Sequence, residues 1–249
     1  MPNEIAYKIY GDDLQLLEIE LDPGEAVRGE AGTMTYMESG VEMQTGVGGI
    51  FKGLKRMFTG ESFFISTFTN ASQAVSHVAF AAPYPGSILP INLTAEGGKF
   101  ICQKDSFLCA DTSVEIEIAF TKRLGAGLFG GEGFILQRLE GAGMAWVHAG
   151  GTLIEKTLAA GETLRVDTGC LVAFAPSVDY DIKMMRGFTN ALFAGEGLFL
   201  AQLTGPGKVY LQSLPLSRLA DRILAGAKRG KGKSGGGVAG EVIGGLFGG

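Results

Sequence analysis

ESFFISTFTNASQAVSHVAF (61–80), EGFILQRLEGAGMAWVHAGG (132–151) and EGLFLAQLTGPGKVYLQSLP (196–215) align with one another without a gap. Each follows a glycine and opens on a glutamate: Gly60-Glu61, Gly131-Glu132 and Gly195-Glu196. Each then reads as an apolar strand, a short polar or glycine-containing turn, and a second strand, with Val75, Trp146 and Tyr210 at the matching position. Strand, turn, strand in that spacing predicts a β-hairpin.

The match continues upstream. LDPGEAVRGEAGTMTYM (21–37), LTAEGGKFICQKDSFLCA (93–110) and LAAGETLRVDTGCLVAF (158–174) share a strand, a glycine turn and a second strand, with Gly24, Gly97 and Gly161 in the turns. Self-similarity at a long period marks duplicated modules rather than a short-period solenoid. The expected architecture is therefore all-β: three tandem β-sandwich-like units in a pseudo-threefold repeat. Their expected bounds are 1–82, 83–150 and 151–212. A C-terminal amphipathic helix follows within 213–229, where Leu216, Leu219, Ile223 and Leu224 recur at helical spacing. Residues 230–249 are half glycine and read as a flexible tail.

Composition agrees with a folded core and excludes other classes. Of 249 residues, 46% are hydrophobic and 19% charged, which removes wholesale disorder. The 40 glycines follow no three-residue period, which removes collagen. From Ser62 to Ala95 there is no Asp, Glu, Lys or Arg, but Pro83, Pro85, Pro90 and Gly86 break the run, so it reads as strands and a turn rather than a span. Residues 1–20 lack a basic stretch followed by an apolar one, and the three cysteines have no C-x-x-C spacing. Both features suit a protein of the reducing cytoplasm.

Charge is uneven. The formal net charge is −5, yet Arg218 to Lys233 holds six basic residues and one acid. An acidic body without a Lys/Arg stripe argues against nucleic-acid binding. The linker GVGGIFKGLKRMFTGE (46–61) can form a short amphipathic turn, with Phe51 and Phe58 on one side and Lys52, Lys55 and Arg56 on another. Such a segment caps an open end of a β-structure or lies on a membrane surface.

Motifs for chemistry are sparse. Gly125–Gly130 fits G-x-G-x-x-G but leads into a strand, and residues 227–234 resemble a phosphate loop without the strand–loop–helix context that makes one work. No nucleophile elbow is present. In the gapless register His77 falls on His148, and His148 on Gln212. If three units surround an axis, this polar triplet converges as metal or ligand groups do; otherwise it is an inherited hydrogen-bonding position. Glu61, Glu132 and Glu196 invite the same argument for a hard cation. No cofactor is expected, and no catalytic set can be assembled.

GVGGIFKGLKRMFTGESFF (46–64) and VYLQSLPLSRLADRIL (209–224), at this spacing, resemble a bacterial and archaeal family of uncharacterised proteins. That family is related to the yeast altered-inheritance-of-mitochondria biogenesis protein. The resemblance covers residues 1–225. It implies tandem double-stranded β-helix-like units similar to the tryptophan-RNA-binding attenuation protein fold, closed homo-oligomers such as trimers, and mitochondrial relatives tied to inner-membrane organisation. It carries no catalytic residues. Three functions stay open: a non-enzymatic scaffold or interaction protein built as a homo-oligomeric β ring, a peripheral membrane protein, and a small-molecule or metal binder at repeat junctions.

Overall fold

The computed structural model describes residues 5–45, 65–122, 134–184 and 199–230. The expected surface segment with Phe51, Lys52, Lys55, Arg56 and Phe58, the Glu61/Glu132/Glu196 triplet and the glycine-rich tail lie outside these residues.

The fold is all-β and, among the described residues, carries one α-helix, α1 (Leu216–Gly230), near their C-terminal end. Four antiparallel sheets are stacked. The first has the order β1 (Tyr7–Tyr10), β2 (Leu16–Leu21), β7 (Ser76–Phe80), β4 (Met34–Met37). The second runs β5 (Val41–Thr45), β6 (Ile65–Asn70), β3 (Ala26–Glu30), β10 (Phe107–Asp111), β13 (Met144–Gly150), β8 (Gly86–Asn92). The third is β11 (Glu115–Lys122), β12 (Phe134–Glu140), β9 (Lys99–Gln103), β16 (Leu171–Phe174), β19 (Gly207–Gln212), β14 (Leu153–Leu158). The fourth is β15 (Thr163–Asp167), β18 (Phe199–Thr204), β17 (Asp179–Met184).

Three apolar cores separate the layers. Leu17, Ile19, Val78 and Phe80 of the first sheet meet Phe68, Leu108 and Trp146 of the second. Phe107, Val147 and Ala149 on the opposite face of that sheet meet Phe100, Leu139 and Tyr210 of the third. Leu136, Phe174 and Val209 then meet Val166, Ile182 and Leu203 of the fourth. The sequence of each strand follows from its layer. In β2, Leu17, Ile19 and Leu21 are buried while Glu18 is half-buried and Glu20 exposed, because one face of the outer sheet meets water. All seven residues of β13, MAWVHAG, are buried, because both faces of an inner sheet are covered.

The aligned 20-residue segments are not hairpins. Strand β6 lies between β5 and β3, whereas β7 lies between β2 and β4 in another sheet. The pairs β12/β13 and β18/β19 are divided between sheets in the same way. The two strands face each other across a core: Phe68 and Phe80 make an edge-to-face contact at 5.2 Å between ring centroids. The turn joining them is a corner, because both edges of each strand are already occupied by other partners.

The expected units also share sheets. Strand β3 pairs with β10, and β9 with β16, so each inner sheet draws strands from two units. The glycine turns at 24, 97 and 161 all hold left-handed backbone, with φ of +85°, +81° and +77°. The uncharged stretch 62–95 supplies β6, β7 and β8. No helix among the described residues is long and apolar enough to cross a membrane.

Candidate functional site

The strand register separates the polar triplet. Tyr36 in β4 is opposite Ala79, Cys109 in β10 is opposite Trp146, and Ala173 in β16 is opposite Tyr210. Ala79, rather than Val75, therefore corresponds to Trp146 and Tyr210. The corner in the first segment is four residues longer than in the other two, which shifts everything after it. His77 corresponds to Met144 and Lys208, and His148 corresponds to Ala81 and Gln212. The three residues also lie in three sheets: His77 in β7, His148 in β13 and Gln212 in β19. Among the described residues, no group of three His, Cys, Asp or Glu side chains is placed to hold a metal ion.

His77 belongs to the polar outer face of the first sheet. Its Nδ1 lies 3.2 Å from Glu38 Oε2 and its Nε2 3.7 Å from Glu20 Oε2. Glu38 also accepts the His77 backbone N–H at 2.9 Å, and these bonds hold its carboxyl below the usual range. Beside them, Tyr10 and Tyr36 both donate to Glu18. That pairing lowers the Glu18 carboxyl and raises the Tyr36 phenol to about 12. The patch is a set of cross-strand pairs on a solvated sheet.

His148 is 1% exposed. The ring of Tyr84 meets it edge-on at 4.7 Å, and its Nδ1 has no hydrogen-bond partner among the described atoms. Burial disfavours the charged form and lowers its pKa to about 4, so the imidazole is neutral at pH 7. Gly86 makes room for it: a Cβ there would sit 2.6 Å from His148 Nε2 and 2.0 Å from the Ala149 carbonyl. Gln212 has a bonding role. Its Oε1 accepts from the Gly150 N–H and its Nε2 donates to the Gly169 carbonyl, both at 2.7 Å.

Cys102 and Cys109 are buried free thiols, and burial raises Cys102 to about 12 and Cys109 well above its ordinary value. Neither is poised as a nucleophile. A shallow depression of about 140 Å³ on the fourth sheet, lined by Arg165, Lys183, Leu200 and Gln202, is smaller than the ~300 Å³ at which ligand pockets begin.

What the chain does present is exposed apolar surface. Tyr7, Tyr10, Tyr36 and Met37 of the first sheet are all well exposed, as are Leu14 between β1 and β2 and Met43 on β5 of the second sheet. Two of them, Tyr36 and Met37, sit on β4, a terminal strand of its sheet. Leu216 and Ile223 are exposed on α1, beside the exposed Arg218 and Arg222. The spacing of Leu216, Leu219 and Ile223 predicts α1 as a helix but not its exposed apolar residues, and β4 has no counterpart among the expected surface residues. The signal available was MTYM (34–37) standing where its counterparts carry FLCA (107–110) and LVAF (171–174).

A family model described as Mitochondrial biogenesis AIM24 matches residues 7–214. The chain is 30% identical over 214 residues to an uncharacterized protein of Streptococcus pyogenes serotype M6, covering 82% of this chain and 84% of that one. It is also similar to the crystal structure of protein SPYM3_0169 from Streptococcus pyogenes, a structural genomics target. The TM-score is 0.71 at 27% identity, over 89% of this chain and 99% of the other.

Proposed function

The chain belongs to the Mitochondrial biogenesis AIM24 family, and from that premise we propose that it is a non-enzymatic scaffold that assembles with copies of itself. The observation that carries this reading is the terminal strand β4, whose Tyr36 and Met37 are both well exposed. An exposed terminal strand of this composition is an edge on which another strand can dock. The polar groups support the same reading from the other side. His77 pairs surface carboxylates, His148 is a neutral buried ring, and Gln212 ties backbone to backbone. The free thiols fit a reducing compartment, and we place the protein in the cytoplasm.

Mass in solution by light scattering tests the assembly. A mass above one chain at micromolar concentration is the expected result, and a strict monomer overturns the reading.

A second reading has its own observation. Helix α1 exposes Leu216 and Ile223 beside Arg218 and Arg222, the composition of a helix that lies on an anionic lipid surface. Co-sedimentation with phosphatidylserine-containing vesicles at low salt, lost in Ile223→Glu, is its expected result. No binding to such vesicles removes it.

A further inference from the structure

We infer that β15 of one chain pairs, antiparallel and edge to edge, with β4 of a second copy of the same chain. The inference rests on the scaffold reading and gives it an interface.

The chain contains the pattern twice. Strand β3 pairs with β10 through Gly29↔Cys109 and Arg28↔Ala110. Strand β9 pairs with β16 through Cys102↔Ala173 and Ile101↔Phe174. In both junctions the second strand follows a one-turn 3-10 helix, at 104–106 and 168–170, and pairs on its other side across a bulge. Strand β4 has every one of these features. It follows the 3-10 turn at 31–33, and its pairing with β7 shifts register between Met34 and Tyr36.

Strand β15 in turn matches β3 and β9. Val166 is opposite Ala201 as Gly29 is opposite Ser66 and Cys102 is opposite Gln137. Each of the two junction roles is thus filled twice and left over once. β4 ends the first sheet and β15 ends the fourth, with no strand paired to either outer edge among the described residues.

The side chains agree. Strand β16 is buried throughout, and β10 is buried except for Asp111, which is half-buried. In β4, Tyr36 is 39% and Met37 38% exposed. An apolar terminal strand with open N–H and C=O groups invites another strand. Carrying the internal register across sets Tyr36 opposite Val166 and Met37 opposite Arg165. The roles are unlike, so the contact is head-to-tail and leads to rings or filaments rather than a two-fold dimer.

One difference sets its strength. At the internal junctions the face continued by β10 and β13 is apolar, with Leu108 and Trp146 in the first core. The equivalent face beside β4 carries Glu18, Glu20 and His77. The contact between copies therefore lacks a second packed layer and is reversible and concentration-dependent.

Two single variants, Met37→Cys and Arg165→Cys, each in a Cys170→Ser background, test it when mixed with a short bis-maleimide. A covalent dimer formed only in the mixture supports the inference. So does a ladder of multimers from the double variant, with none when Met37→Cys is paired with Ile154→Cys on β14. Cross-linking of the double variant confined to the monomer overturns it, since β4 and β15 then meet within one chain. A multimer by light scattering with no cross-link overturns this interface and leaves the scaffold reading standing, whereas a strict monomer overturns both. Hydrogen exchange on the unmodified chain gives an independent readout: the amides of β4 and β15 gain protection as concentration rises, and unchanged protection overturns the pairing.

Discussion

The side-chain carbonyl of Gln212, in the third sheet, accepts the backbone N–H of Gly150, in the second, at 2.7 Å. With the bond from its amide to Gly169, this one side chain ties together two sheets and the 3-10 turn ahead of β16. Gln212 is 5% exposed, so water does not replace these bonds when they are lost.

Replacing Gln212 with Leu orphans a buried N–H and a carbonyl together. The expected cost is about 2–4 kcal/mol, read as a lower urea midpoint with unchanged far-UV dichroism. An unaltered midpoint would show that the two groups find other partners.

Acid acts through His148. The native ring loses its proton near pH 4, and the unfolded one near 6.5. Between those values the unfolded chain binds the extra proton, so stability is full above pH 6.5 and falls as pH drops towards 4. The loss amounts to roughly 3 kcal/mol. His148→Gln, which cannot take up the proton, is expected to flatten this part of the melting-temperature profile. A parallel profile in that variant assigns the acid sensitivity elsewhere.

The thiols differ in access. Cys102 and Cys109 are buried, and Cys170 is half-buried with its thiol also raised by burial. A thiol reagent at pH 8 should label at most one site per native chain, slowly, and all three in denaturant. Rapid labelling of two sites in the native protein contradicts the stacked-sheet arrangement around Cys102 and Cys109.

Gly29 lies where β3 meets β10. A Cβ there would come within 2.6 Å of the Phe80 ring and 3.3 Å of Cys109 Cβ. Gly29→Val is expected to destabilise by about 1–3 kcal/mol through overpacking, and adding Phe80→Leu should recover part of the loss. Simple additivity of the two changes would show that the ring is not what the new side chain meets.

Much of this fold is legible in the chain read alone. Glycines 24, 97 and 161 mark real left-handed turns, because few other residues hold φ near +80° without strain. The alternation of LLEIEL against the unbroken MAWVHAG distinguishes an outer from an inner sheet, because side chains on successive residues point to opposite faces. Helix α1 follows from the spacing of Leu216, Leu219 and Ile223.

Other features depended on contacts between residues far apart in the chain. Strand–turn–strand patterning is the same whether the two strands pair with each other or turn a corner into separate sheets. Phe68 and Phe80 meet across a core because β3, β5, β2 and β4 already occupy the available edges. The triplet of His77, His148 and Gln212 dissolves for a related reason: four extra residues in one corner are invisible to a gapless alignment and displace the register, and His77 meets solvent because β7 belongs to an outer sheet whereas His148 lies in an inner one. Local sequence thus determined that the chain makes strands, where it turns and which strands are covered on both sides. The tertiary structure alone decided which edges are satisfied, since hydrogen bonding between strands depends on partners that no local pattern names.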